Sequence, residues 1–223
     1  MSEARKFARE LAREHVARGS VTGWFEPLYL AAGGDAAKVA WGDLFPHPGL
    51  VEWMARGAVP KGRALVVGCG LGDDAEEVAR AGLDVVAFDI APTAVEWAAR
   101  RFPGTRVRYE VADVFAPPPS WTRAFGLVVE ANTLQSFPPG TRAPAVESIA
   151  SFVAPGGVLL VLARGRDEKE EAASFPWALA PSEIERFELT GLELVRFDDT
   201  MDRESPPVRR FRAEYRRPRT SAS

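Results

Sequence analysis

Cysteine, histidine and lysine are nearly missing from this chain. Its 223 residues include one cysteine, Cys69, and two histidines, His15 and His47. A single cysteine rules out an internal disulfide and any zinc site built on several thiolates. Two histidines give no multi-histidine centre, so no metal is expected. No apolar run approaches the roughly 20 residues of a membrane span. The opening stretch MSEARKFARELAREH is charged throughout and lacks the apolar region of a signal peptide. The expectation is a cytoplasmic protein with no membrane partner. Only four of the 28 basic residues are lysine, which reads first as coding bias. The net charge of −3 leaves no global field to recruit nucleic acid. Hydrophobic residues at 46% and charged residues at 26% exclude a disordered or coiled-coil chain.

The length suits one domain with a lid better than two cores. Residues 1–60 are expected to form an N-terminal helical and aromatic lid, 61–218 the core, and 219–223 a frayed tail. Residues 3–18 carry Ala4, Phe7, Ala8, Leu11 and Ala12 at helical spacing. The stretch 20–60 mixes Trp24, Phe25, Tyr29, Trp41, Phe45 and Trp53 with many Gly and Pro residues. It reads as an irregular loop whose aromatics need burial, followed by a short helix after His47. From residue 63 strands and helices alternate. RALVVGCG, DVVAFDI, VRYEVADVF, AFGLVVEAN and VLLVLARG are strands, with helices between them, which predicts βαβ units and a parallel sheet. SEIERFELTG is expected to be a helix opened by a Ser182–Glu185 capping box. LELVRFDDTM and VRRFRAEYRRP are spaced for a closing antiparallel hairpin.

Gly68-Cys69-Gly70-Leu71-Gly72 follows a strand and opens a helix, so a ligand can approach its backbone closely. The third glycine of the dinucleotide fingerprint would fall at Asp73. Asp73 and Asp74 together would repel a pyrophosphate at the helix N-terminus. A ligand without phosphate suits the loop better, and S-adenosylmethionine (SAM) is one. Asp89 ends the second strand, where a carboxylate can accept both ribose hydroxyls, although nicotinamide sites use the same device. Asp113 can accept the adenine amino proton while Val114 packs on the ring; equally, a strand-end Asp can only cap a helix. Cys69 reads as a small packing residue.

The stretches LVVGCGLGDDAEEVA, VVAFDIAPTAVEWA, VADVF, FGLVVEANTLQSFPP and VAPGGVLLVLARG resemble the class I SAM-dependent methyltransferases over about residues 60–215. Within that superfamily VAWGDLFPHPGLVEW and LQSFPPGTR are similar to the thiopurine and thiol/halide methyltransferase branch. The resemblance implies an α/β, Rossmann-like, seven-stranded and mostly parallel sheet with an antiparallel last strand. It implies that Gly68 and Gly70 contact the methionine part of SAM. Asp89 would hold the ribose, Ile90, Asp113 and Val114 the adenine, and backbone acceptors around Glu130 and Ala131 the ammonium. Trp24 and Trp41 would wall the sulfonium, whose charge an aromatic face attracts. Tyr29, Trp41, Phe45 and Trp177 would shape the acceptor pocket. Thiopurine enzymes carry an arginine where this chain has Ala131, so selection by size and softness rather than charge is expected.

Transfer to a thiol needs little base catalysis, because a thiol near 8.5 is already partly thiolate at neutral pH. The expected activity is therefore S-methylation of a small molecule by a monomer or weak homodimer. O- or N-methylation of a hydrophobic metabolite, with His47 as base, is the alternative. Two further readings carry less. The arginines between Arg209 and Arg219 suggest nucleic acid, yet they alternate with Phe211, Ala213 and Tyr215 as on a sheet with one wet face. A nicotinamide-dependent oxidoreductase conflicts with Asp73 and Asp74.

Overall fold

The computed structural model describes residues 2–57 and 59–219. Residues 220–223 of the expected tail lie outside the described residues. One sheet holds β1 (Arg63–Val67), β2 (Asp84–Asp89), β3 (Arg108–Val111), β4 (Phe125–Ala131), β5 (Val153–Arg164), β6 (Glu193–Met201) and β7 (Arg209–Arg216). Their order is β3-β2-β1-β4-β5-β7-β6. The first five are parallel, and β7 runs antiparallel to both β5 and β6. This is the Rossmann-like sheet the sequence implies. Because β2 and β4 flank β1, the winding reverses there, and ligands of such sheets bind beyond the carboxyl ends at that point. The helices are α1 (Glu3–Ala17), α2 (Phe25–Ala32), α3 (Pro48–Ala55), α4 (Asp73–Arg80), α5 (Pro92–Arg101), α6 (Ala143–Phe152) and α7 (Pro181–Glu185). None is long and apolar enough to cross a membrane.

Strand alternation divides the core. Leu65, Val67, Phe88, Val128 and Leu159 face Ile149 and Phe152 of α6. Ala64, Val66, Ala87, Leu127 and Val129 share the other cluster with Leu50 and Trp53 of α3 and Val78 of α4. A third cluster joins the N-terminal segment to the strand-end side. Ala8 and Ala12 of α1 pack with Trp24, Leu28, Tyr29, Trp97 and Phe175. Glu26 fixes the first residues of α5 by accepting from Thr93 N (3.0 Å) and Thr93 Oγ1 (2.6 Å). Arg9 Nε donates to Phe175 O at 2.6 Å, which holds α1 to the segment after β5.

Four local expectations need correction. FEPLYLAA is a helix, not loop. Pro27 sits in its first turn, where a missing N–H is tolerated, and Leu28, Tyr29 and Ala32 are buried. β3 stops at Val111, because Asp113 Oδ1 accepts from Phe115 N (2.9 Å) and turns the chain. β5 begins at Val153 rather than Val158, and its early pairing with Phe125 is accommodated by a register shift. The helix near 182 starts one residue earlier and ends at Glu185. Its cap is Glu183, which accepts from Ala180 N at 2.9 Å, while Ser182 bonds Glu168 instead.

Candidate active site

A cavity of about 1170 Å³ opens beyond the carboxyl ends of β1, β2, β4 and β5, roofed by α1 and the segment around Trp41. That volume holds a nucleoside-sized ligand together with a small second one. The glycine loop forms one wall. Gly68 has φ +59°, and a Cβ there would come within 2.4 Å of Thr133 Oγ1, which donates to Val67 O at 3.0 Å. Gly68 is therefore required by the crossing of two chain segments as well as by any ligand. Gly70 has φ +51°, and a Cβ would stand 3.2 Å from the Tyr29 hydroxyl. Cys69 is buried, and burial, with Asp89 nearby, pushes its thiol well up, consistent with packing.

Asp89 lies at the end of β2 with its carboxylate inside the cavity wall. Its two oxygens accept from Gly70 N and Ala91 N, each at 3.0 Å. Burial raises its pKa and these N–H groups oppose the rise. Each oxygen keeps a further lone-pair direction for a hydroxyl donor. Ile90, Asp113, Val114 and Ala131 also line the cavity. Asp113 does cap its own turn, as one reading anticipated, and still borders the cavity.

Three residues named from the sequence do not line it. Trp24 is fully buried, stacked on Phe25 at 4.1 Å and edge-on to Trp41. Its neighbour Phe25 reaches the cavity instead. Trp177 is buried behind Phe175 and Pro176, which take the wall. Glu130 points away because strand parity puts it on the α6 face with Val128. There its Oε1 accepts from Thr133 N (2.6 Å) and Leu134 N (2.9 Å). Burial lifts its pKa to about 7, and Oε2 has no partner among the described residues. Its place at the cavity is taken by Asn132, Thr133 and Gln135, which sequence reading missed. The polar run Asn-Thr-Leu-Gln after an apolar strand was the available signal.

Of the residues expected to shape an acceptor pocket, Trp41 Nε1 donates to the Tyr29 hydroxyl at 2.8 Å. Both line the cavity, and Phe45 stands at its mouth, 57% exposed. Trp41→Ala should raise KM for the acceptor several-fold and cost about 1 kcal/mol through the lost bond. Steady-state kinetics with a denaturation curve would show it, and an unchanged KM would take Trp41 out of the pocket.

His47 caps α3: its Nδ1 accepts from Gly49 N at 3.0 Å. Burial, then Arg210 and Arg212, lowers its pKa to about 4. The imidazole is thus neutral with little proton affinity, a poor base. Its backbone N–H donates to Asp74 Oδ1 at 2.6 Å, and burial raises Asp74 to about 6. Asp73 is held by both Arg101 Nη groups at 2.6 and 2.8 Å. The repulsion expected of two free carboxylates is therefore weaker than the sequence suggests. Among the described residues no group of three His, Cys, Asp or Glu side chains is placed to hold a metal.

Three of the four arginines of β7 are paired. Arg209 meets Asp199, Arg210 meets Asp202, and Arg212 meets Asp198 and Glu52, all within 2.9 Å. Phe211, Ala213 and Tyr215 are buried. Paired guanidiniums form no phosphate-binding stripe.

A family model described as "Methyltransferase domain" matches residues 64–157. "Probable thiol methyltransferase 2" of Arabidopsis thaliana is 28% identical over 184 residues, spanning 80% of this chain and 76% of that protein. "2-heptyl-1-hydroxyquinolin-4(1H)-one methyltransferase" of Mycobacteroides abscessus is 31% identical over 131 residues, spanning 57% and 56%. Among solved structures, one described as "Conversion of a Disulfide Bond into a Thioacetal Group during Echinomycin Biosynthesis" superposes with TM-score 0.70 at 20% identity, covering 88% of this chain and 94% of that one. With this sheet order and a methyltransferase-domain match over the glycine loop and β1 to β4, residues 64–157 form the core of a SAM-dependent methyltransferase of class I architecture.

Proposed function

We propose that the protein methylates the sulfur of a small thiol. The observation that carries this reading is the state of His47. The histidine that lines the cavity is committed as a helix cap and binds a proton only near pH 4. Such a site suits an acceptor that ionises by itself. The similarity to a probable thiol methyltransferase supports the same class. Bound SAM supplies a methyl group on a sulfonium. The thiolate's lone pair would form the new S–CH₃ bond as the sulfonium S–CH₃ bond broke, and the two charges would cancel. The chain's own part is to bind, align and exclude water, where proximity supplies much of the rate. We assign Gly68 and Gly70 to close backbone approach, Asp89 to the ribose hydroxyls, Ile90 and Val114 to the adenine faces, and Asp113 to its edge. Trp41 and Phe25 offer ring faces toward the sulfonium. We place the reaction in the cytoplasm, since a chain with one buried cysteine draws nothing from an oxidising compartment.

A second reading is transfer to an acidic hydroxyl, favoured by the relative named for a 1-hydroxyquinolinone. An acceptor screen with methyl-labelled SAM, covering thiols, sulfide, halides and phenols, separates the two. Product from phenols alone would reject S-methylation.

Asp89→Ala should weaken SAM binding by about 2–3 kcal/mol, because it strands the ribose hydroxyls and the Gly70 N–H. Calorimetry with S-adenosylhomocysteine reads this directly. Unchanged affinity would remove Asp89 from the cofactor site.

A further inference from the structure

Arg164 is the last residue of β5, two positions beyond Leu162, which pairs with Ala131. It lines the cavity together with Arg5 and Arg9 of α1. Its backbone N–H donates to Gln135 Oε1 at 2.7 Å, so its origin is fixed from β4's side. Its guanidinium is treated differently from those of its neighbours. Arg210 bonds Asp202 at 2.7 Å and also Glu204, and Arg212 bonds Asp198 at 2.8 Å. Arg164 makes no side-chain hydrogen bond among the described residues, and its nearest carboxylate, Glu204, lies 3.9 Å away and is already engaged by Arg210.

Burial, then Arg210, hold the Arg164 pKa below the ordinary arginine value; Glu204 opposes them, Arg5 adds to them and Asp202 opposes. Arg5 has no ion pair among the described residues, and Arg9 spends its Nε on Phe175 O. Arg164 and Arg5 thus line the same cavity, and neither guanidinium has a carboxylate at hydrogen-bond distance among the described residues. Arg164 is partly buried with its fork of donors unspent, whereas Arg5 is exposed at the rim, so an anion entering the cavity would meet a guanidinium free to bond it. A planar fork of N–H donors matches a carboxylate with two parallel bonds. The sheet also divides the cavity. Asp89 and the glycine loop sit over β1 and β2, while Arg164 sits over β5, on the acceptor's side.

We propose that the acceptor is an anion, a small thiol bearing a carboxylate, and that Arg164, with Arg5 across the cavity, recognises that carboxylate. This rests on the reading that the chain methylates a small thiol. It replaces the expectation of a pocket blind to charge: the cation absent at Ala131 is supplied from the neighbouring strand.

The test compares 4-mercaptobenzoate with its methyl ester in wild type, Arg164→Gln and Glu204→Gln, and titrates benzoate into enzyme saturated with S-adenosylhomocysteine. Wild type should favour the acid over the ester by at least about tenfold in kcat/KM. Arg164→Gln should collapse that ratio toward one and weaken benzoate binding about tenfold or more. Glu204→Gln removes the competing carboxylate and should raise the ratio. Equal rates for acid and ester in wild type would overturn the proposal. So would a parallel loss for both acceptors in Arg164→Gln, since that marks an arginine that only supports the hairpin. Either result leaves S-methylation standing. Benzoate binding that depends on Arg164, with no turnover of either thiol, would instead keep the anion site and reject the thiol. Neither turnover nor benzoate binding would reject both.

Discussion

Arg142→Ala is expected to cost about 3 kcal/mol of folding stability, the lower end of what breaking a buried ion pair costs. Arg142 is buried, yet all three arms of its guanidinium are used. Nε donates to Phe137 O at 2.9 Å, Nη1 meets Glu183 at 2.5 Å, and Nη2 donates to Trp177 O. One side chain thus joins the segment after β4, Trp177 behind the cavity wall and the start of α7. Truncation leaves two carbonyls without donors in a site that excludes water. Glu183 keeps Arg166 at 2.9 Å, which is why the loss falls at the lower end of the range. Urea denaturation at neutral pH reads the loss as a shift in midpoint at constant slope. Arg142→Lys should recover only part of it, because one ammonium cannot reach three acceptors in a plane. A loss below about 1 kcal/mol would show that water enters and replaces the guanidinium.

The residues around Arg142 also show where sequence reading succeeds and stops. The motif LQSFPPGTR brought out the segment, but the partners of Arg142 lie 35 and 41 residues onward at Trp177 and Glu183. No local pattern encodes a pairing of that span. The β1–loop–α4–β2 unit was legible because two periodicities switch at a glycine cluster, and each register is local. Asp89, Ile90, Asp113 and Val114 inherit that legibility, since each stands at a strand end. The Glu130 side chain turns away from the cavity, and strand parity already carried that information. Val128 faces α6, so Glu130 two residues on must face the same way, and Ala131 the other. Trp24 and Phe25 are adjacent at the start of an eight-residue helix, and only packing decides which reaches the cavity. Arg164 hid among 24 arginines, because composition cannot tell a paired guanidinium from an unsatisfied one.

The pH dependence of transfer separates thiol chemistry from base-assisted oxygen chemistry. If the acceptor enters as its own thiolate, kcat/KM should rise about tenfold per pH unit and level off at the acceptor's pKa. Across two units that is roughly a hundredfold. Exchanging an alkyl thiol for a more acidic aryl thiol should move the break downward by the difference in their pKa values. His47→Asn should leave the shape alone. A histidine lowered to about 4 is deprotonated over the whole working range, so as a base it would give a flat profile above pH 5. Two other groups titrate inside the window, Asp74 near 6 and Glu130 near 7, both raised by burial. Each loses a proton as pH rises, and each would add a limb at a fixed pH whatever the acceptor. A break near 7 that ignores the thiol's pKa and disappears in Glu130→Gln would belong to the β4 turn, through the Thr133 and Leu134 N–H groups it holds. A fixed break that disappears in Asp74→Asn would place a carboxylate base beside His47, and transfer to a hydroxyl would then be the better reading. A break that follows the acceptor leaves the chain with one task, holding a thiolate in line with the methyl group.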